Sequence, residues 1–304
     1  MKIQTFSSTI RRKEMDAVLT CMVQEKTGPG EINQRLTQYA KEFFGVDGVV
    51  ALRSPSLALK YALKALAIEA DTKIMISALA PSWQILTIED LGFKPLVLDV
   101  NAETGLVTVD AIVQGLKDGG RVLLLHQTLG IVPNFEALAE LNIPIIEDIS
   151  HSVGATFNDK KTGTFGVFSI CGLEETDSVT AGGGALLMAA ERRNWIVLKK
   201  FTDNCAKTDI LPDMNGALAY IQLKEFNKNE SLRKEMYEMY IRSLMQGRHK
   251  SLISVVNEEV QAVYSFPVLL ESGMKDVKQY ASKKDIEIAP AFEGSIVSKR
   301  SEEG

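Results

Sequence analysis

"RVLLLHQTLGIVPNFEALAELNIPIIEDIS", residues 121–150, reads as strand, helix, strand. RVLLLH and IPIIEDIS are short, nearly unbroken apolar runs, the pattern of strands buried on both faces. NFEALAELN between them is a helical pattern. Strands joined through crossover helices lie parallel in one sheet.

The same alternation runs upstream. VVALRS (49–54) precedes PSLALKYALKALAIEA, KIMISALA (73–80) precedes PSWQILTIEDLG, and KPLVLDV (94–100) precedes TVDAIVQGLKDGG. Two helical segments, RRKEMDAVLTCMVQEK and GEINQRLTQYAKEFFG, come before the first strand, the second with Gly45 as its stop. After GGGALLMAA and ERRNWIVLKKFT the rhythm changes. A helix over about 213–245, a strand QAVYSFPVLL and a helix KDVKQYASKKD predict a smaller α+β domain at 210–304, following a large α/β domain at 1–209.

Composition narrows the function classes. The chain has 304 residues, 45% hydrophobic and 24% charged, with 34 Lys and Arg against 39 Asp and Glu, a net charge of −5. The basic residues are scattered, so nucleic acid and anionic membrane are poor partners. Cys21, Cys171 and Cys205 form no C-x-x-C, and with three histidines a disulfide framework or an ordinary zinc site is not expected. No apolar run of signal-peptide or membrane-spanning length is present, which sets the expectation of a cytoplasmic protein. No G-x-G-x-x-G follows a strand, which argues against a dinucleotide-dependent dehydrogenase.

The order of segments resembles the DegT/DnrJ/StrS-type sugar aminotransferases, fold-type-I enzymes that use pyridoxal phosphate (PLP) on nucleotide-linked sugars. GPGEINQRLTQYAKEFFGVDGVVALRSPSLALKYALKAL, LGFKPLVLDVNAETGLVTVDAI, IPIIEDISHSVGATFNDKKTGTFGVFSI and LPDMNGALAYIQLKEF carry the likeness over nearly the whole chain. It implies a fold-type-I large domain with a mostly parallel sheet flanked by helices, plus a small α+β C-terminal domain, here truncated. GSIVSKRSEEG at the end reads as a mobile polar tail.

By the resemblance, Asp148 in EDISHS pairs with the cofactor's pyridine nitrogen; an acidic residue after a strand is equally a loop anchor. His151 falls near the ring hydroxyl and is a possible base, or a structural histidine. Ser169 in FSI matches a phosphate contact. The phosphate turn reads RSPS: Ser56 keeps a hydroxyl, but Pro55 has no N–H, so the turn is also a plain helix start unless Arg53 or Ser54 replaces the contact. Pro81 stands where an aromatic ring stacks on the cofactor, with Trp83 two residues on as a substitute or as a core residue. Thr208 and Ile210 occupy the places of the partner subunit's asparagine and arginine.

The largest departure is in FSICGLEETDSVTAGGG, 168–184, where the family keeps its Schiff-base lysine. Counting from one side gives Glu174 and from the other Thr176, and no lysine occurs between Lys161 and Lys199. A carboxylate moves protons but forms no imine, so ordinary transamination is not expected. The first expectation is a catalytically degenerate binding or regulatory homologue in sugar-nucleotide or polysaccharide metabolism. The alternative is a lysine-independent enzyme, like the deoxysugar dehydratases, that holds PLP or pyridoxamine phosphate (PMP) non-covalently and uses Asp148 and His151. Binding a nucleotide sugar with no cofactor at all is a further option. A homodimer, or a heterodimer with a lysine-bearing relative, is the implied assembly.

Overall fold

The structure is a computed structural model describing residues 2–252, 261–271 and 273–302. Two helices, α1 (Arg12–Val23) and α2 (Glu31–Phe44), precede the sheet. Then follow β1 (Gly48–Leu52), α3 (Pro55–Leu66), β2 (Lys73–Ser77), α4 (Ser82–Asp90), β3 (Lys94–Leu98), α5 (Val109–Lys117), β4 (Gly120–His126), α6 (Phe135–Ala139) and β5 (Ile145–Asp148). A small hairpin, β6 (Thr156–Phe157) with β7 (Lys160–Lys161), leads to β8 (Phe168–Gly172), β9 (Ala185–Ala189) and α7 (Arg192–Thr202). The strands and helices expected from β1 to β5 thus form where the apolar rhythm put them.

The sheet has seven strands in the order β1-β9-β8-β5-β4-β2-β3. The five strands from β8 to β3 are parallel, whereas β9 runs antiparallel to both β8 and β1. Period-two alternation explains why both faces are apolar. Ile74, Ile76, Leu124, Ile146, Phe168, Ile170 and Leu187 pack on the side of α3, α4 and α7. Met75, Leu123 and Leu125, and Cys171, Leu186 and Met188, face the other way, where α2, α5 and α6 cover them.

A carboxylate from far along the chain fixes the start of α2. Asp213, 2% exposed, accepts hydrogen bonds from the N–H groups of Gly30 (2.9 Å), Ile32 (3.1 Å) and Asn33 (2.9 Å). A negative charge here satisfies the unpaired amides of a helix N-terminus and meets its dipole favourably. At the other end, Gly45 takes φ 72°, the left-handed stop expected of it.

The C-terminal third departs from expectation in three ways. The single helix expected over 213–245 is two, α8 (Asp213–Lys224) and α9 (Phe226–Leu244), broken at Glu225, whose carboxylate pairs with Lys13 at 2.6 Å. QAVYSFPVLL forms only a short strand, β11 (Val268–Leu269), paired with β10 (Lys250–Ser251) and followed by α10 (Met274–Lys283). The tail read as mobile instead returns to the large domain: Ser82 N–H donates to Gly294 O, Ile296 N–H to Ala80 O, and Val297 N–H to Ala78 O. Helix α11 (Ile296–Glu302) follows, with Ile296 only 1% exposed against α4. That one apolar side chain, inserted beside Ala80 and Ile85, gives an otherwise polar segment something to bury. No helix among the described residues is long and apolar enough to cross a membrane.

Candidate functional site

The carboxyl ends of β4, β5 and β8 lie side by side, the usual position for ligand sites in open α/β sheets. Register puts His126, the last residue of β4, opposite Asp148, the last of β5. His126 Nδ1 lies 2.9 Å from Asp148 Oδ2, and Gln84, delivered by α4, donates its Nε2 to the same oxygen at 2.7 Å. The Ser150 hydroxyl (2.6 Å) and amide (3.1 Å) both donate to Oδ1. All three side chains at Oδ2 are interior: Gln84 is 0% exposed, Asp148 1% and His126 3%. Burial by itself raises the Asp148 pKa. The hydrogen bond and charge of His126, then the Ser150 hydroxyl, outweigh it and hold the carboxyl below its usual range.

Around this carboxylate, two buried polar atoms have no partner among the described residues: Gln84 Oε1 and His151 Nδ1. His151 lies edge-on to His126, with ring centroids 4.8 Å apart. Its other face is stacked by Tyr264, at 3.6 Å and 15°. Burial first, and then His126, drive the His151 pKa down to about 3. A ring so hard to protonate is a poor proton acceptor at neutral pH, which counts against His151 as the base.

The lysine-free loop leaves β8 at Gly172. Glu174 is exposed and folds back so that Gly184 N–H donates to its Oε1 at 3.3 Å. Thr176 is exposed and shares a hydrogen bond with Tyr264. The residue turned inward is Asp177. Its Oδ2 accepts the Glu174 N–H at 2.8 Å, and a Cβ built on Gly172 would lie 2.2 Å from that oxygen and 2.9 Å from Ser150 Oγ. Glycine at 172 is therefore what lets the Asp177 carboxylate come up against the Asp148 group. Burial is the first cause, with Asp148 and Glu174 adding to it against the Glu174 amide, that raises the Asp177 pKa to about 7.

The remaining sequence candidates divide. Ser54 caps α3, accepting the Leu57 N–H at 3.2 Å, with Pro55 at the first helical position; Ser56 is half-buried beside it and Arg53 is exposed. Ser169 is not with them. It is fully buried on the opposite face of the sheet, where its hydroxyl donates to Gly163 O at 2.8 Å. Trp83 packs against the core under α4, one residue from Gln84, and Pro81 precedes that helix. Thr208 is exposed, and Ile210 bridges to Leu52 along the free edge of β1.

A pyridine-type cofactor fits this site at one end better than at the other. Asp148, buried and held below its usual pKa range, is the type of group that would keep a ring nitrogen protonated, and Gln84 Oε1 and His151 Nδ1 are buried polar atoms with no partner among the described residues. For a phosphate, the N-terminus of α3 would offer the Ser56 amide and hydroxyl, with Pro55 contributing no donor. No group of three or more His, Cys, Asp or Glu among the described residues is arranged to hold a metal ion.

His126, Gln84 and Asp177 escape the sequence reading. His126 carried one available signal, a polar residue ending an apolar strand beside the strand that ends in Asp148.

Comparison with known proteins agrees with this architecture. The model of the DegT/DnrJ/EryC1/StrS aminotransferase family matches residues 8–299. GDP-4-keto-6-deoxy-D-mannose 3-dehydratase of Escherichia coli O55:H7 is 23% identical over 333 residues, covering 96% of this chain and 86% of the relative. Among solved structures, the PLP form of a Streptococcus pneumoniae protein superposes with TM-score 0.89 at 16% identity, over 100% of this chain and 88% of that one. The E. coli GDP-4-keto-6-deoxy-D-mannose-3-dehydratase with bound hydrated PLP gives 0.83 at 17% identity, over 99% and 88%.

Proposed function

The chain belongs to the DegT/DnrJ/EryC1/StrS aminotransferase family, and from that premise we propose that it no longer transaminates but binds a PLP- or PMP-type cofactor non-covalently, in the metabolism of nucleotide-linked sugars. The observation that carries this reading is the buried Asp148 clamp with unpaired Gln84 Oε1 and His151 Nδ1 beside it. Burying a carboxylate costs several kcal/mol unless it is fully paired, by order of magnitude. Gln84, His126 and Ser150 meet that cost and hold a negative charge at the ring-nitrogen position. Bound there, such a cofactor supplies a protonated ring that draws electrons from its attached carbon. Asp148 holds the ring proton, and Ser150, whose hydroxyl also accepts the Gly172 N–H at 2.9 Å, fixes the orientation of Asp148.

No lysine lies between Lys161 and Lys199, and neither Glu174 nor Thr176 is an amine, so the covalent holding of an aldehyde is absent from the reading. Tyr264 against His151 and Pro55 in the phosphate turn favour a second reading, a homologue that binds or regulates a partner without a cofactor. Either way we take the protein to be cytoplasmic and to pair with a second copy or an intact relative. The exposed Met15, Leu19 and Met22 on α1 give such a partner an apolar surface.

The test is calorimetric titration of the purified protein with PMP and with PLP, with Asp148→Asn as control. Saturable binding that disappears in the variant supports the cofactor site. If neither compound binds, the cofactor site is wrong and the partner-binding reading takes its place.

A further inference from the structure

The loop that aligns with the family's lysine here turns a carboxylate towards Gly172 and Ser150 and carries no amine. Of its acidic side chains, Glu174 and Glu175 are exposed, whereas Asp177 turns toward Gly172 and Ser150 on the face that carries Asp148. The Glu174 amide fixes Oδ2, and Oδ1 accepts no hydrogen bond among the described residues. A ligand group is also expected close by, because Gln84 Oε1, on a side chain 0% exposed, is unpaired beside Asp148.

Among the described residues no lysine or arginine hydrogen-bonds or ion-pairs with either carboxylate. Asp177 is surrounded by Asp148 from β5, Glu174 from its own loop, Cys171 from β8 and Tyr264 from the segment before β11. His151 lies between Asp148 and Tyr264, and Arg233 of α9 comes only to the Ser178 carbonyl at 3.0 Å, paired with Glu230. Two like charges sharing a site favour ligands that bring two positive groups.

We propose that Asp177 takes the place of the missing lysine as the counter-charge of an amine, so that the site selects the amine form of the cofactor and holds its ammonium proton against the Asp177 carboxylate. This rests on the non-covalent cofactor site proposed above. PMP carries two cationic groups, a ring N–H for Asp148 and a side-chain ammonium for Asp177. Forms with an alcohol or aldehyde in place of the amine satisfy only the first. With its pKa raised to about 7, Asp177 is mostly ionised at pH 8 and mostly protonated at pH 5.5, so amine selectivity falls over that range.

The experiment is calorimetry on the full chain between pH 5.5 and 8.5, with PMP and pyridoxine 5′-phosphate as probes. These two differ only in amine against hydroxyl, and neither can react with surface lysines. The variant is Asp177→Asn, which keeps an oxygen for the Glu174 amide, with its fold checked by circular dichroism. At pH 8 the wild type should prefer PMP by about tenfold, the worth of one charge-assisted hydrogen bond. That preference should shrink towards pH 5.5 and be absent at every pH in Asp177→Asn. An equal preference in the variant, or equal binding of both probes by the wild type, overturns the role of Asp177 and leaves the cofactor site standing. Failure of both probes to bind the wild type at any pH overturns the cofactor site itself, and this inference with it.

Discussion

Replacing Asp148 in two ways tests the network that surrounds it. Alanine leaves Gln84 Nε2, His126 Nδ1 and both Ser150 donors facing an empty buried position. Breaking a buried charged group from its partners costs about 3–5 kcal/mol. Asparagine is different, because the structure holds a spare acceptor. Gln84 Oε1 is unpaired, so a flipped Gln84 amide accepts from the new Nδ2, and a neutral His126 with its proton on Nε2 accepts at Nδ1. The Ser150 donors keep the remaining oxygen, and the loss should be about 1 kcal/mol, the exchange of charged for neutral hydrogen bonds. In thermal unfolding followed by circular dichroism at pH 7, at about 2 °C per kcal/mol for a chain of this size, Asp148→Ala should melt about 6–10 °C lower and Asp148→Asn about 2 °C lower. Both variants should fail to bind PMP. Equal melting losses for Asn and Ala would refute the reasoning, since Gln84 and His126 would then be unable to reverse their roles.

Asp213→Ala removes the acceptor of three amides at the start of α2 and should cost about 2–4 kcal/mol by urea unfolding, whereas Asp16→Ala on exposed α1 should cost almost nothing. The Asp177 carboxyl titrates near 7 in the fold against an ordinary 3.8, so the native state binds the extra proton and loses stability as pH rises between those values. Asp177→Asn should therefore be more stable than wild type at pH 8, by up to about 4 kcal/mol, and within about 0.5 kcal/mol of it at pH 4, as read by unfolding curves at both pH values. Gly172→Ala would force a methyl into the space of Asp177 Oδ2 and Ser150 Oγ; it should abolish PMP binding in calorimetry and lower the melting temperature.

Strands buried on both faces are conspicuous in a sequence, and β1 to β5 are readable because no loop in this chain is so uniformly apolar. Direction is another matter: ALLMA carries the same residues whether it runs with its neighbours or against them, so the antiparallel β9 is invisible to pattern. Asp148 is legible because it ends an apolar strand. Gln84 is not, because nothing in a helix sequence says which turn will meet a carboxylate 64 residues later. In the lysine-free loop, Glu174, Glu175 and Asp177 look alike on paper, and only the backbone turn that brings the Glu174 amide to Asp177 decides which one faces inward. Ser169 had a usable signal. Flanked by Phe168 and Ile170 on one core face, it had to point to the other. The C-terminal segment was misread for want of apolar residues, when a single buried Ile296 and three backbone hydrogen bonds suffice to seat it.

The position of β1 has a consequence for the timing of synthesis. Among the described residues its ladder partner is β9, with Gly48 opposite Ala189 and Leu52 opposite Ala185, and Ile210 bridges its other edge at Leu52. At ordinary elongation rates of about 5–20 residues per second, the apolar GVVAL segment waits on the order of 10–30 s on the ribosome before the strand that will cover it exists. During that interval it is an unpaired strand of the kind that attracts other chains. The ladder of residues 48–52 therefore cannot close until residue 189 has emerged, and until then α2 and α3 are the neighbours able to cover that strand.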